Sequence, residues 1–235
     1  MTLLEVDDIV SGYGDAIIVD GAHLDVEAGE MVTVIGPNGA GKSTFLKTIV
    51  GLLRIRDGSV RFDGEDITGV PAEDAIDYGI CYVPQTENVF PNLTVRENLK
   101  MGAWTLDDGL FEDRTQRVFE RFPELEGRMD ALAGNLSGGQ QQMVAVGAAL
   151  MLDPELLILD EPSAGLAPDL VEDMFEKVEE INDTGTTILM VEQNARRALE
   201  SSDRGIVLDM GETHMQGTGS ELLNSEEIAE LYLGT

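Results

Sequence analysis

Basic residues are scarce in this chain of 235: 15 lysines and arginines face 45 aspartates and glutamates, a formal net charge of −30 at pH 7. Lysine occurs only as Lys42, Lys47, Lys100 and Lys177. A surface so short of cations repels nucleic acid and anionic lipid alike, so neither is expected as a partner, and attachment to a membrane is expected to run through another protein. The single cysteine, Cys81, excludes disulfides within the chain and reads as a small core filler. His23 and His214 have no clustered partners at metal-ligand spacing and read as surface or turn residues. No apolar run reaches the ~20 residues that cross a bilayer. The opening MTLLEVDDIV has neither the basic start nor the long apolar centre of a secretory signal, so the chain is expected to stay in the cytoplasm. Internal repeats, low-complexity tracts and linkers are absent as well. The length suits one α/β domain with a smaller inserted lobe.

What is present is a set of phosphate-handling segments. GPNGAGKST, residues 36 to 44, fits G-x-x-x-x-G-K-[ST]. Before it, Met31, Val32, Val34 and Ile35 form an apolar run suited to a buried parallel strand. After it, Phe45, Leu46, Ile49, Val50, Leu52 and Leu53 recur at helical spacing, with Gly51 and Arg54 marking the expected end. Glycines Gly36, Gly39 and Gly41 let successive N–H groups face one point, where a phosphate can sit over a helix N-terminus. Lys42 would reach the outer phosphates, and the Ser43 hydroxyl, backed by Thr44, is placed to hold Mg²⁺. The bland alternative is a Gly-rich turn, and the flanking strand and helix argue against it.

Leu156, Leu157, Ile158 and Leu159 form a second apolar run that ends in Asp160 and Glu161, so both carboxylates fall at the carboxyl edge of a buried strand, where open α/β sheets bind ligands. Asp160 would touch a metal through its water shell, and Glu161 would polarise an attacking water. Pro162 stops the strand. A third segment, LSGGQ at 136 to 140, opens a helix running through Met143, Val144, Val146, Leu150 and Met151. Two glycines at a helix start cost stability but leave bare N–H groups open to a phosphate; an ordinary Ser-capped helix is the competing account.

With these residues in hand the chain resembles the ATP-binding subunits of ABC transporters over nearly its whole length. GPNGAGKST corresponds to Walker A, Gln85 to the Q-loop glutamine, LSGGQ to the signature, LLILDEP to Walker B, and SAGLAPD at 163 to 169 to the D-loop region. Tyr13 matches the aromatic on which such subunits stack adenine. The resemblance implies an α/β fold of the P-loop NTPase, ABC ATPase type: a mixed-sheet core with an N-terminal antiparallel β part, and an inserted helical subdomain. The boundaries expected are 1–85 and 154–235 for the core and 86–153 for the helices. It implies that ATP meets Tyr13, Gly36, Pro37, Asn38, Gly39, Ala40, Gly41, Lys42, Ser43 and Thr44. Mg²⁺ is expected at Ser43, Gln85 and Asp160, with Glu161 and Gln193 as the catalytic pair. Leu136, Ser137, Gly138, Gly139 and Gln140 are expected to act in trans across a head-to-tail pair with a second ATPase subunit, the same chain or a related one. The implied setting is the cytoplasmic face of the membrane, with transmembrane permease subunits and an external solute-binding protein as further partners.

Within that family GGQQQMVAVGAAL, SAGLAPDLV, VEQNARRALESSDRGIVL and GTGSELL resemble the smaller ATPase of branched-chain amino acid importers. Urea or short-amide importers, and soluble ATPases of the same type, are the alternatives. Most of the family carries histidine where this chain has Gln193, which can hold water and phosphate but takes up no proton in the working range. Two arginines common after the signature are replaced by Met143 and Ala148. The stretch from Thr94 to Leu152 reads mainly as helix, with a capping box of Thr94 and Glu97 at its start. The resemblance places the segment after Gln85 against a permease helix. Phe90, Leu93 and Trp104 are candidates for that contact; packing is as reasonable an account of Leu93 and the better account of Trp104.

The acids are scattered along the chain and form no block, which points to a halophile with a cytoplasm rich in salt, where self-repulsion is screened within a few ångströms; an acidic mesophilic protein is the competing account. The protein is therefore expected to fold and pair best in concentrated KCl. Thermal midpoints measured from dilute buffer to about 3 M KCl should rise steadily, a salt range in which the Debye length shrinks to about 3 Å or less; full stability in dilute buffer contradicts the expectation.

Overall fold

In the computed structural model, which describes residues 1–228 except for the side chain of Asp108, two sheets carry the fold. Alternating apolar residues in β1 (Thr2–Ser11) and β2 (Val19–Glu27) pair antiparallel, and β1 also pairs antiparallel with β4 (Asp57–Phe62), which carries the two-residue β5 (Glu65–Asp66) at the edge. The second sheet has the order β10-β9-β3-β8-β7-β6. Its members are β3 (Met31–Ile35), β6 (Ile80–Val83), β7 (Leu156–Asp160), β8 (Thr187–Val191), β9 (Arg204–Asp209) and β10 (Glu212–Thr218). The first five run parallel; β10 returns antiparallel on β9. The expected mixed sheet with an antiparallel N-terminal part is therefore present.

Every residue of β3, β7 and β8 is buried, as a parallel sheet covered on both faces requires. Because side chains alternate, Leu156 and Ile158 join Phe45 and Leu46 of α1 (Lys42–Ile49) and the inner face of the first sheet. Leu157 and Leu159 turn the other way, onto α4 (Gly138–Leu150) and α5 (Pro168–Asp183). Cys81 lies in this second cluster, 7 % exposed, and burial pushes its thiol pKa up to about 12. Two short helices, α6 (Ala195–Ser201) and α7 (Gly219–Leu223), close the sheet's far end. Residues 229–235 of the expected core segment lie outside the described residues.

Between β6 and β7 the described chain is helical, with α2 (Val95–Gly102), α3 (Phe111–Arg121), α4 and short 3₁₀ turns. The capping box expected at its start is formed: Thr94 Oγ1 accepts from the Glu97 amide, and the Glu97 carboxylate accepts from the Thr94 amide at 2.7 Å. One helix is shorter than its periodicity suggests. α1 stops at Ile49 because Gly51 takes φ +75° and the amides of Leu52 and Gly51 turn back to the carbonyls of Lys47 and Thr48, a Schellman closure. A Cβ at Gly51 would lie 2.0 Å from the Val70 carbonyl oxygen, so no other residue fits, and Leu52 beyond it is exposed. Trp104, for which packing was the better expectation, is corrected too: it is 66 % exposed, because Gly102 ends α2 and the chain turns outward before α3.

The loop before α2 is held by one buried amide. Asn98 Nδ2 donates to the carbonyls of Phe90, Leu93 and Thr94, and its Oδ1 accepts from the Phe90 amide at 2.8 Å. Buried carbonyls that lose their donor are costly. Asn98→Ala is expected to lower unfolding stability by about 2–3 kcal/mol and to leave the 90–94 backbone exchanging its amide protons faster, read by chemical denaturation and hydrogen exchange.

Candidate active site

The carboxyl ends of β3, β6, β7 and β8 converge, and each contributes the residues that follow it. From β3 the chain enters the loop 36–41, where Gly36 lies against β9 so closely that a Cβ would meet the Leu208 carbonyl at 2.0 Å. Gly41, at φ +99°, is the N-cap of α1. Pro37, Asn38 and Gly39 face solvent, while Ala40, Gly41 and Thr44 are buried, and the Ala40 amide donates to the Pro37 carbonyl at 3.1 Å. Lys42 is 6 % exposed, and its ammonium folds over the loop to donate to the carbonyls of Gly36 and Pro37 at 2.9 and 3.2 Å. Burial holds its pKa below the usual lysine value, against the opposing pull of Glu161, Asp160 and Glu192.

Asp160 ends β7, 2 % exposed, with both oxygens occupied: Ser43 Oγ donates to Oδ1 at 2.8 Å and the Tyr82 phenol donates to Oδ2 at 3.0 Å. Glu161 follows in the left-handed region at φ +49°, a conformation that costs a non-glycine residue about 1–2 kcal/mol. Its amide donates to the Val191 carbonyl at 2.9 Å, and its carboxylate accepts from Gln85 Nε2 at 2.6 Å. Burial raises the Glu161 pKa, assisted by Asp160 and opposed by Lys42. Ser43, Gln85 and Asp160 share with Lys47 a polar cavity of about 320 Å³. This set of hydroxyl, amide and carboxylate oxygens is the donor chemistry that a hard divalent cation such as Mg²⁺ takes.

β8 contributes a residue that the sequence reading passed over. Glu192 is 1 % exposed; its carboxylate accepts from the amides of Ser163, Gln193 and Asn194, at 2.8, 3.0 and 3.4 Å. Burial raises its pKa against those hydrogen bonds. It ties the segment after Glu161 to the segment after β8. The sign of it in the sequence is the same as for Asp160: an acid at the end of an unbroken apolar run. The Gln193 side chain itself is exposed.

Tyr13, half exposed, stands on the loop between β1 and β2, which Arg56 pins through the Gly14 and Ala16 carbonyls at 2.6 and 3.2 Å. The Ile18 carbonyl of that loop lies 3.1 Å from where a Cβ on Gly41 would be, so Tyr13's loop sits beside the phosphate-shaped turn. The LSGGQ residues form a separate place at the start of α4. Ser137 caps the helix by accepting from the Gln140 amide, while Gln140 Oε1 accepts from the Ser137 amide at 3.2 Å. Leu136 and Gly139 are buried; Ser137 and Gly138 are exposed. Among the described residues no hydrogen bond joins this segment to Lys42, Asp160 or Glu161.

An apolar groove of about 540 Å³ lies over the edge strand β6, between α1 on one side and α2 and α4 on the other. Phe90 and Trp104, both more than half exposed, line it, together with Ala148. Leu93 is half-buried and does not line it. No described helix is long and apolar enough to cross a membrane.

Residues 19–164 match the family model described as ABC transporter. The chain is 42 % identical over 232 residues to the high-affinity branched-chain amino acid transport ATP-binding protein BraG of Pseudomonas aeruginosa, covering 99 % of this chain and 100 % of that one. It is 43 % identical over 225 residues, 95 % of each chain, to the probable branched-chain amino acid transport ATP-binding protein LivF of Archaeoglobus fulgidus. The lipopolysaccharide export system ATP-binding protein LptB of Haemophilus influenzae is 32 % identical over 236 residues, covering 100 % of this chain and 98 % of that one. A crystal structure of a nucleotide-free ATP-binding cassette from an ABC transporter superposes with a TM-score of 0.88 at 31 % identity over the whole of both chains. The glycine turn, buried lysine and strand-end acids thus stand in a chain that belongs to the ABC transporter family, as an ATPase.

Proposed function

We propose that this ATPase powers an importer of branched-chain amino acids, working at the cytoplasmic face of the membrane through permease subunits to which an external solute-binding protein delivers cargo. Identity to BraG and LivF exceeds that to LptB by about ten percentage points over matching lengths, which favours import of amino acids over export of lipopolysaccharide. The observation that carries the catalytic reading is the meeting of Lys42, Ser43, Gln85, Asp160 and Glu161 at one sheet edge.

In this reading Tyr13 stacks adenine, residues 36–44 and Lys42 grip the phosphates, and Ser43, Gln85 and Asp160 hold Mg²⁺. When bound, Mg²⁺ neutralises phosphate charge. Glu161, released from Gln85, orients and polarises water, and its raised pKa suits a base. Gln193 holds the γ-phosphate by hydrogen bonds. Ser137 and Gly138, exposed at the start of α4, and Gly139 behind them meet the nucleotide of a second ATPase subunit, which explains why the signature stands apart from the chain's own phosphate loop. The boundaries 1–85, 86–153 and 154–235 describe a core and a helical lobe that carry these two half-sites. The excess of acids suits a saline cytoplasm.

Glu161→Gln should leave ATP binding intact while turnover falls by about 10²–10⁴-fold, measured by nucleotide binding and phosphate release; unchanged turnover removes Glu161 from the base role. Gln193→Ala run beside it should lower turnover too, and no change makes Gln193 a bystander.

The groove over β6 is proposed as the permease seat, since its aromatics Phe90 and Trp104 are more than half exposed among the described residues. Phe90→Asp should abolish transport in proteoliposomes while leaving the ATPase activity of the isolated subunit unchanged. Loss of both activities together assigns Phe90 to the core.

A further inference from the structure

Tyr82 joins two places that the proposed function treats separately. It stands on β6, the edge strand, paired with Ile158 of β7. Asp160 is two residues further along β7 on the same face, within diagonal reach of a long side chain. The phenol accordingly leans toward the carboxyl edge and donates to Asp160 Oδ2. The same residue lines the apolar groove, where it lies between Val50, Leu52 and Ala75 on the α1 side and Phe90, Trp104 and Leu152 on the helical side. It is half-buried, so one part of it is open to whatever fills the groove while its hydroxyl is committed to the buried acid.

We propose that Tyr82 is a positioning residue that fixes the Asp160 carboxylate through its hydroxyl and transmits the seating of a permease segment in the groove to the metal-side acid. The proposal rests on the reading of Asp160 as the acid that faces Mg²⁺ and of the groove as the permease seat. Its physical content is simple. Ser43 Oγ donates to Asp160 Oδ1 and can bind a metal through a lone pair while keeping that proton, so the two donors divide the carboxylate: among the described residues Tyr82 is the side chain that donates to Oδ2. A buried carboxylate with an unpartnered oxygen loses its fixed orientation. Pressure on the tyrosine ring from the groove displaces the hydroxyl, and the carboxylate with it.

Tyr82→Phe keeps the ring and removes the hydroxyl. With a non-hydrolysable ATP analogue bound, Mn²⁺ affinity read by electron paramagnetic resonance should weaken on the order of tenfold, the equivalent of one hydrogen bond to a charged group. Analogue affinity without metal should stay as in the unsubstituted chain, while the thermal midpoint falls because Asp160 Oδ2 loses its donor. In the reconstituted transporter the same variant should co-purify with permease in normal amounts yet lose most of the permease-dependent stimulation of turnover. Unchanged Mn²⁺ affinity overturns the positioning role, and weakened affinity with full stimulation overturns the link to the groove. A fluorotyrosine placed at position 82 of the otherwise unaltered chain gives a readout that does not depend on the variant folding. Its ¹⁹F resonance should move when Mg²⁺ is added to the analogue-bound protein, and an unmoved resonance also overturns the role. An unsubstituted chain that binds no analogue at all refutes the proposed function instead, whatever Tyr82 does.

Discussion

A parallel sheet buried on both faces leaves polar chemistry almost nowhere to stand except at the strand ends, and this constraint organises the molecule. β3, β7 and β8 are buried along their whole length, so loop, acid and switch residues begin where each strand stops. Asp160 is the exception, because it is still part of β7 and nearly inaccessible. A carboxylate there is tolerable only when hydrogen-bonded, and the two donors come from different elements, Ser43 on α1 and Tyr82 on β6. The acid therefore also measures the spacing between the phosphate loop's helix and the edge strand.

What the amino-acid order made readable was whatever is local. The loop 36–44 announces itself because glycine positions, lysine and hydroxyl lie close together in sequence; MVTVI is apolar but for Thr33 and LLIL is apolar throughout; Thr94 and Glu97 form their box within four residues. The overlooked partners are distant ones. Tyr82 and Asp160 are 78 positions apart, and Glu192 meets the Ser163 amide across 29. No periodicity records such pairings. Asn98, a single polar residue on α2, satisfies three carbonyls of the loop that precedes the helix. Gly51 marks the end of α1 as the sequence suggested, while the apolar spacing runs past it. Leu52 and Leu53 continue the apolar spacing, but the Val70 carbonyl beside Gly51 decides where the helix stops, and that carbonyl arrives from another part of the chain.

The charge balance sharpens the question of how this surface accepts a triphosphate. Around the loop, Lys42 is outnumbered by Asp160, Glu161 and Glu192, all close enough to act on its ammonium. Side-chain charge alone would repel an anion here. In the proposed function the attraction comes from oriented amides at the start of α1, whose partial charges are fixed and need no counter-acid, and from a cation that would be held by the oxygens of Ser43, Gln85 and Asp160. Elsewhere two arginines are shared between acids. Arg197 serves Glu172 and Glu179 while lying over the Phe175 ring, and Arg204 serves Asp25 and Glu30.

Sharing of this kind places cations where elements cross and leaves most surface acids unpaired. The first of these arginines links α5 to α6, the helices that leave the segments after Glu161 and after Gln193; the second links β9 to the β2 end. Each spans a junction that must keep its geometry while the surrounding carboxylates repel one another. Pairs at the surface contribute about 0–1 kcal/mol each, and a handful of them, even with these half-buried arginines, is too little to offset the mutual repulsion of so many acids. The fold therefore leans on its apolar layers for stability and on mobile counter-ions for relief of charge. The buried hydrogen bonds of Asp160, Glu192 and Asn98 are insulated from that ionic atmosphere, which leaves the site's internal geometry the part of the molecule least dependent on salt.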